Sequence, residues 1–295
     1  MRQPIDARIA IIVLNWNGSE DTLACLRSLG NSDAATARIV VFDNGSRAED
    51  RTRIGSESGI EFHCSDRNLG FAEGNNEAVR RLGSGASTLV FLNNDTEVPE
   101  VWLAPLLELL EERHPCMVSP AILLGEPPRD RQYWFTGTRI SWWLGRPVLE
   151  TAPPGAVPVR LPYIPGCCMA MKRETWDLLG GFDPRYFAYF EDTDLGLRAN
   201  SAGIGSWIAP DSRIHHKVSR STGEGNPFRI ELFTRNRILF MRRFAPAWSW
   251  PSFVIFQVVA RSLFSLKYFL RPRGWTRYRA FLRGTLAGFA AKGWP

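Results

Sequence analysis

Three acids, Glu191, Asp192 and Asp194, fall within four residues, just after Phe187, Tyr189 and Phe190. Like charges this close raise one another's pKa, which fits one of them to take a proton from a hydroxyl. The aromatic residues ahead argue for partial burial. The plainer reading is a charged helix start in which Asp194 and Arg198 pair at i, i+4. A second cluster is Asp43-Asn44-Gly45-Ser46. Its carboxylate could accept hydrogen bonds from a base N–H or from ribose hydroxyls, though the same residues also make an ordinary Asx-turn. In a third cluster, Asn93-Asn94-Asp95, the aspartate could ligate a hard divalent cation (Mg²⁺ or Mn²⁺) whose other ligands are diphosphate oxygens; a turn or helix N-cap is the alternative. Finally, His215-His216-Lys217 offers an imidazole to a metal, against the commoner use of a lone histidine in a core or on a surface.

These clusters need elements to bring them together. Segment 8–14 is a β-branched apolar run that ends in Asn15-Trp16-Asn17-Gly18 and passes into helical spacing through Leu23, Leu26 and Leu29. That is a strand, loop, helix unit. Strands are predicted over 38–42, near 60–63 and over 88–92, and a helix over 72–82. Near-continuous apolar strands alternating with helices imply an α/β fold with a mostly parallel sheet covered on both faces. In such sheets ligands sit at the carboxyl ends of the strands, where strand order reverses. Both 43–46 and 93–95 directly follow strands. The Pro-, Gly-, Arg- and Trp-rich segment 125–165 reads as an irregular excursion or hairpin near the acceptor side. A strand is then predicted over 168–171, helices around 174–179 and over 192–202, and a short strand over 206–209.

The ordered set Leu14-Asn-Trp-Asn-Gly18, Phe42-Asp-Asn-Gly-Ser46, Asn68-Leu-Gly-Phe-Ala-Glu-Gly-Asn-Asn76, Phe91-Leu-Asn-Asn-Asp95, Gly181-Phe-Asp-Pro with Phe190-Glu-Asp-Thr-Asp194, and His216-Lys-Val-Ser-Arg-Ser-Thr222 resembles family 2 glycosyltransferases, nearest to their rhamnosyltransferase-like subgroup. The resemblance covers about residues 8–244. It implies a GT-A fold and inverting transfer of a sugar, with rhamnose as the candidate, from a nucleotide diphosphate donor to a hydroxyl of a glycan or lipid-linked acceptor. Carried over residue by residue, Asp43 matches the aspartate that contacts the nucleoside, and Asn15 and Asn17 lie in the first loop of the donor site. Asn68, Gly70 and Asn75 match a segment lining that site. Asn93-Asn94-Asp95 matches the family's D-x-D position, so Asp95 would be the metal ligand, with Asn93 standing where the first acid is usual. Asp192 matches the general base, with Glu191 beside it, and His216 matches a histidine that completes the metal shell. A sugar nucleotidyltransferase is the rival enzyme, but it wants a Gly-rich basic loop after the first strand, which Asn15-Trp16-Asn17-Gly18 is not. A non-catalytic nucleotide-sugar-binding protein is the rival outside enzymes, and the acids at 191–194 argue against it.

Charge divides the chain. Residues 1–227 carry a net charge of −6, whereas 228–295 carry 13 basic residues against the single acid Glu231, and 16 of the 35 aromatics. The expectation is a catalytic domain over 1–227 and a basic, aromatic-rich helical region over 228–295. Three partners fit that tail: an anionic membrane surface, worth about 1 kcal/mol per basic residue near lipid, another copy of the chain, or nucleic acid. A lipid-linked acceptor favours the first and nucleic acid is set aside. No run reaches the roughly 18 apolar residues of a membrane span. The N-terminal residues lack signal-peptide character and the five cysteines show no paired spacing, so the expected setting is reducing cytoplasm, peripheral on the inner face of the plasma membrane.

Overall fold

The computed structural model describes residues 8–125, 132–218, 226–260 and 274–291. Those within Met1–Arg139, Leu149–Phe187 and Glu191–Ser219 form one compact unit, and those within Ile140–Val148, Ala188–Phe190 and Arg220–Pro295 a second. Two short upstream pieces thus group with the C-terminal helices.

The first unit opens with β1 (Ile9–Asn15), α1 (Ser19–Gly30), β2 (Arg38–Asn44), α2 (Ala48–Gly55), β3 (Glu61–Ser65), α3 (Gly70–Leu82) and β4 (Thr88–Asn93). The apolar residues of β1, β2 and β4 are buried almost throughout, as strands covered on both faces require. β1 pairs in parallel with β2 on one side and β4 on the other, and β2 with β3. Chain order therefore runs outward from β1 to β3 and then jumps back across β1 to β4. This reversal opens a crevice at the carboxyl ends of β1 and β4. Crossovers of one hand put α3 on the face opposite to α1 and α2. Helix α2 escapes sequence reading because only Ile54 of its eight residues is buried.

The sheet continues through β5 (Thr96–Glu97), β6 (Cys116–Leu124), β7 (Tyr133–Phe135), β10 (Val159–Leu161), β11 (Cys168–Lys172) and β12 (Gly205–His216); β8 (Gly137–Ser141) and β9 (Arg146–Glu150) make a separate two-stranded sheet. The excursion predicted between 125 and 165 is thus strand-built where it is described. The main order is β10-β12-β6-β11-β4-β1-β2-β3. The half of the sheet beyond β4 is mixed: β11 runs antiparallel to both β4 and β6, and β12 lies parallel to β6. Two antiparallel steps restore the original direction, so β12 ends at the same edge as β1, β2 and β4. Helices α4 (Leu103–Glu112), α5 (Arg173–Leu179) and α6 (Glu191–Ser201) complete this unit. Phe91, Trp176 and Phe182 lock β4 to the α5 region, with ring centroids 4.7–5.6 Å apart.

β12 is three times the predicted length. A register shift between Ala209 and Arg213 carries it past Pro210-Asp211-Ser212, which by themselves read as a turn. That continuation delivers His216.

In the second unit, α7 (Pro227–Phe244) packs on α9 (Gly274–Ala290), with α8 (Trp250–Ile255) between them in sequence. Gly284 and Gly288 allow the close approach: a Cβ at Gly284 would stand 2.3 Å from the Glu231 carbonyl oxygen. Arg242 donates to the carbonyls of Gly288, Phe289 and Ala291 and so satisfies the end of α9. Pro251 lies in the first turn of α8, where its missing N–H costs nothing. Among the described residues no helix is long and apolar enough to cross a membrane, and all five cysteines are free. Arg261 and Lys267, which interrupt the apolar stretch that starts at Phe253, the N-terminal residues 1–7, and residues 219–222 of the last sequence motif lie outside the described residues.

Candidate active site

At the carboxyl edge of the sheet, β1 and β2 end side by side with Asn15 opposite Asp43. Both are fully buried. Asn15 Nδ2 donates to Asp43 Oδ2 at 2.8 Å and to Ser46 Oγ at 3.1 Å. Asp43 Oδ1 accepts from Ser46 N at 3.0 Å and stands 3.5 Å from Arg51 Nε. Asp43 thus belongs to the end of β2 rather than to a free turn, and its carboxylate ties together the end of β1, the loop after β2 and helix α2. Asn17, at φ 53°, takes part by donating its backbone N–H to Ser46 Oγ at 2.8 Å while its side chain accepts from Arg47 N.

Asn94 joins this floor to β4. Its amide donates to Thr22 Oγ1 at 3.0 Å and to the Gly18 carbonyl at 3.3 Å, while Thr22 donates to Asn15 Oδ1 at 2.9 Å. Asn68 Oδ1 accepts from Asn44 Nδ2 and Gly70 N, so the loop before α3 is braced on the end of β2. Gly70 has φ 84°, and a Cβ there would lie 2.5 Å from the Phe187 carbonyl oxygen, so only glycine fits. Asn75 is buried and donates to the Phe71 carbonyl of its own helix, bracing the first turns of α3.

Asn93, the last residue of β4, donates its backbone N–H to the Cys167 carbonyl at 2.8 Å, tying β4 to the segment leading into β11. Asp95 and His216 meet across this edge, with His216 Nε2 3.1 Å from Asp95 Oδ1. Successive strand residues point to opposite faces, so His215 is turned away from Asp95. The other imidazole nitrogen, Nδ1, is buried with no hydrogen-bond partner, and Trp134 packs edge-on against the ring at 4.7 Å. Could this pair hold a cation? Neighbouring ligands of an octahedral ion with bonds of about 2.1 Å lie about 3.0 Å apart, so a carboxylate oxygen and an imidazole nitrogen at 3.1 Å fit. Among the described residues no third His, Cys, Asp or Glu joins them. A cation held here would draw its remaining ligands from diphosphate or water, which is how Mg²⁺ is commonly bound.

The three acids at the start of α6 have three different surroundings. Asp194 is fully buried and paired with Arg198, whose Nε reaches Oδ2 at 2.6 Å and whose other nitrogens bond the carbonyls of Leu179 and Gly181. It fastens α6 to the turn after α5, the pairing that the i, i+4 spacing predicts. Glu191 is buried with Oε2 unpartnered. Burial first, then the charge of Asp192, hold its carboxyl well above the usual carboxylate range. Asp192 retains partial solvent contact. Its Oδ2 accepts from Gly166 N at 3.1 Å and its Oδ1 from Thr193 N at 2.6 Å. Burial raises its pKa, and those N–H groups oppose the rise. Proximity therefore comes second to burial in perturbing these acids. Tyr163 also feels Asp192; burial and that charge push its phenol up, so it stays a neutral hydroxyl.

The segment Gly166-Cys167 links the two halves of the site, since Gly166 holds Asp192 and Cys167 holds Asn93. The structure thus brings Asn15, Asn17, Asp43, Asn93, Asn94, Asp95, Asp192 and His216 to one edge of one sheet. Sequence reasoning missed Thr22, Arg51, Trp134 and Gly166. Of these only Gly166, in the turn signal Pro165-Gly166 just before a predicted strand, could have been marked.

The family model of Glycosyl transferase family 2 matches residues 10–179. Uncharacterized proteins of Mycobacterium tuberculosis and Mycobacterium bovis are 30% identical over 171 residues, 57% of this chain and 60% of theirs. The low-salt glycan biosynthesis hexosyltransferase Agl10 of Haloferax volcanii is 25% identical over 241 residues, 78% of this chain and 74% of its own. The N-acetylglucosaminyl-diphospho-decaprenol L-rhamnosyltransferase of Mycobacterium tuberculosis is 33% identical over 79 residues, 27% of this chain and 26% of its own. Among solved structures, GalNAc-T7 with UDP, GalNAc and Mn²⁺ superposes with TM-score 0.64 at 17% identity, covering 79% of this chain and 47% of that one. The mannosyltransferase PcManGT from Pyrobaculum calidifontis, in complex with GDP-Man and Mn²⁺, superposes with TM-score 0.56 at 15% identity, covering 96% and 87%. At these identities the likeness is one of fold, the GT-A arrangement. The match spans about 60% of the length of the mycobacterial relatives.

Proposed function

The chain belongs to glycosyl transferase family 2, and from that premise we propose that it transfers one sugar, with inversion, from a nucleotide diphosphate donor to an acceptor hydroxyl. Asp192 takes the proton of that hydroxyl. Of the three acids at the start of α6 it alone combines solvent contact, a raised pKa and no cationic partner among the hydrogen bonds given above, as a base requires. Burial and the charge of Asp192 hold the Glu191 carboxyl well above the usual range, so it gives up its proton less readily than an ordinary carboxyl. Asp95 and His216 hold a divalent cation, Mg²⁺ or Mn²⁺, which supplies positive charge to the departing diphosphate when bound. Asp43, Asn15 and Asn17 form the nucleoside end of the donor site, Asn93 and Asn94 its floor, and the Asn68–Gly70 loop with Asn75 behind it a side wall.

The observation that supports this most is the shared carboxyl edge of β1, β2, β4 and β12, with Asp95 and His216 3.1 Å apart. Thermal-shift titration with UDP, GDP and dTDP tests it. A nucleoside diphosphate should raise the melting temperature only with Mg²⁺ or Mn²⁺ present, and Asp95→Ala should abolish the metal-dependent part. A shift that is equal with and without metal refutes the assignment.

Rhamnose is the first sugar to test, on the strength of the rhamnosyltransferase relative, with a glycan or lipid-linked acceptor. The second unit supports a lipid surface as the setting. It exposes Trp143, Trp248, Ile255, Trp275, Leu286 and Phe289 in a region where basic residues far outnumber acids. Exposed aromatics beside arginines suit headgroup depth at an anionic bilayer. The protein would then sit peripherally on the inner face of the plasma membrane, and it should sediment with phosphatidylglycerol vesicles at low salt but not with phosphatidylcholine ones.

A further inference from the structure

Asp43 is the residue matched to the nucleoside, yet its side chain is fully buried, and its oxygens already accept from Asn15 Nδ2 and Ser46 N. An incoming base finds no surface of it to touch. Arg51 beside it differs: 32% of that side chain is exposed, against none of Asp43. Arg51 comes from α2, a helix that buries only Ile54 and is held at the carboxyl edge by polar contacts instead. One is Asp50 Oδ1, which accepts from Ser19 N at 3.1 Å. The others belong to Arg51, which lies across the ends of two strands. Its buried Nε stands 3.5 Å from Asp43 Oδ1 on β2, and its Nη2 donates at 3.0 Å to the carbonyl of Ser65, the last residue of β3. Two contacts on one planar group set its orientation. A guanidinium carries N–H donors and no acceptor, and no described residue accepts from Arg51 Nη1.

A fixed edge that only donates selects among bases. Uracil and thymine carry a carbonyl oxygen, O4, where cytosine carries an amine, and guanine carries O6 where adenine carries an amine. We propose that Arg51 reads the base of the donor, selecting uracil, thymine or guanine over cytosine or adenine through that carbonyl, and that Asp43 acts on the donor by holding Arg51 in place. This rests on the nucleoside end of the donor site lying at this edge. A guanidinium set against an amine leaves two donors facing each other without an acceptor, which disfavours the wrong base by about 10–100-fold. Lysine could not replace arginine here. Its side chain ends one bond short of the Nη atoms, and its ammonium would stay with Asp43.

The test measures dissociation constants by isothermal titration with Mg²⁺ present, for UDP against CDP and for GDP against ADP. The parent should bind at least one of UDP and GDP about 10–100-fold more tightly than its amino counterpart. Arg51→Lys, which keeps a positive charge beside Asp43, should weaken the preferred nucleotide until that preference is gone and leave its counterpart unchanged. Uracil and guanine also carry an N–H next to the carbonyl, which a carboxylate could accept. A preference that survives Arg51→Lys therefore makes Asp43 the reader and overturns the inference. So does equal weakening of both members of a pair, or a parent without any preference; each leaves the donor site standing. Should Arg51→Lys lack a cooperative thermal transition, 4-thio-UDP or 6-thio-GDP decides on the parent protein. Sulfur there replaces the carbonyl oxygen and the N–H remains, so weaker binding than the oxygen nucleotide supports Arg51 and equal binding overturns it. A parent that binds none of the four nucleotides overturns the inference and the donor site together.

Discussion

Asp192 and Asp194 sit two residues apart on α6, and exchanging each for asparagine should produce opposite phenotypes. Asp194 is fully buried against Arg198, which is itself largely covered and bonds two further carbonyls. Removing that charge strands a mostly buried guanidinium, and breaking such a pair costs about 3–5 kcal/mol. At about 2–4 °C per kcal/mol for a chain of this size, the melting temperature should fall by about 6–20 °C. The hydrogen bonds of Asp192 described above come from neutral N–H and O–H groups. Its two oxygens accept from Gly166 N and from Thr193, and an asparagine keeps one acceptor but turns an NH₂ toward the other donor. The lost bond costs about 1–3 kcal/mol, partly offset because burial disfavoured the carboxylate to begin with; a net loss of about 1 kcal/mol lowers the melting temperature by only about 2–4 °C. Turnover behaves the other way. Loss of a base lowers kcat by about 10²–10⁴-fold, about 2.7–5.5 kcal/mol of barrier at 1.36 kcal/mol per tenfold. Nucleoside diphosphate release per folded molecule, with the folded fraction taken from thermal denaturation of the same samples, separates the two. An Asp192→Asn protein within tenfold of the parent kcat, or an Asp194→Asn protein with an unmoved melting temperature, refutes the reasoning.

Glu191 gives a pH signature. Its folded pKa lies well above its unfolded one, so it stabilises the fold fully below the ordinary carboxylate range and that stabilisation is lost as pH rises through the raised value. The parent's melting temperature should therefore decline with rising pH relative to Glu191→Gln, and parallel curves from pH 4 to 9 would show that Glu191 ionises normally. Because the Asp192 carboxyl is also raised, kcat should drop as pH falls through a value above the usual carboxylate range; an acid limb at or below about 4 would contradict this. Gly70→Ala combines a positive φ with a collision at Phe187 and should destabilise by about 2–5 kcal/mol, measured by chemical denaturation.

The legible parts of the fold were those whose physics is local. β1, β2 and β4 are continuous apolar runs, and each ends at a polar cluster at the carboxyl edge of the sheet. The i, i+4 spacing of Asp194 and Arg198 likewise read correctly from the chain. β12 was foreshortened because Pro210-Asp211-Ser212 is a turn by composition and becomes strand only when paired along β6 through a bulge. The left-handed conformation of Tyr189 and Phe190 was invisible, since no local property of those aromatics favours positive φ. It accompanies the hold that Asn236 of α7 has on the Ala188 and Tyr189 carbonyls.

Residue types and their order were enough to identify the chemistry on offer and the family, since carboxylates, amides and imidazoles keep their character wherever they are placed. Which of three neighbouring acids keeps contact with water, and that Asp95 meets a histidine more than a hundred residues away, followed only from the folded chain. Burial and the direction of strands are set by partners distant in sequence: two antiparallel steps through β11 bring the end of β12 back to the edge where β1, β2 and β4 finish.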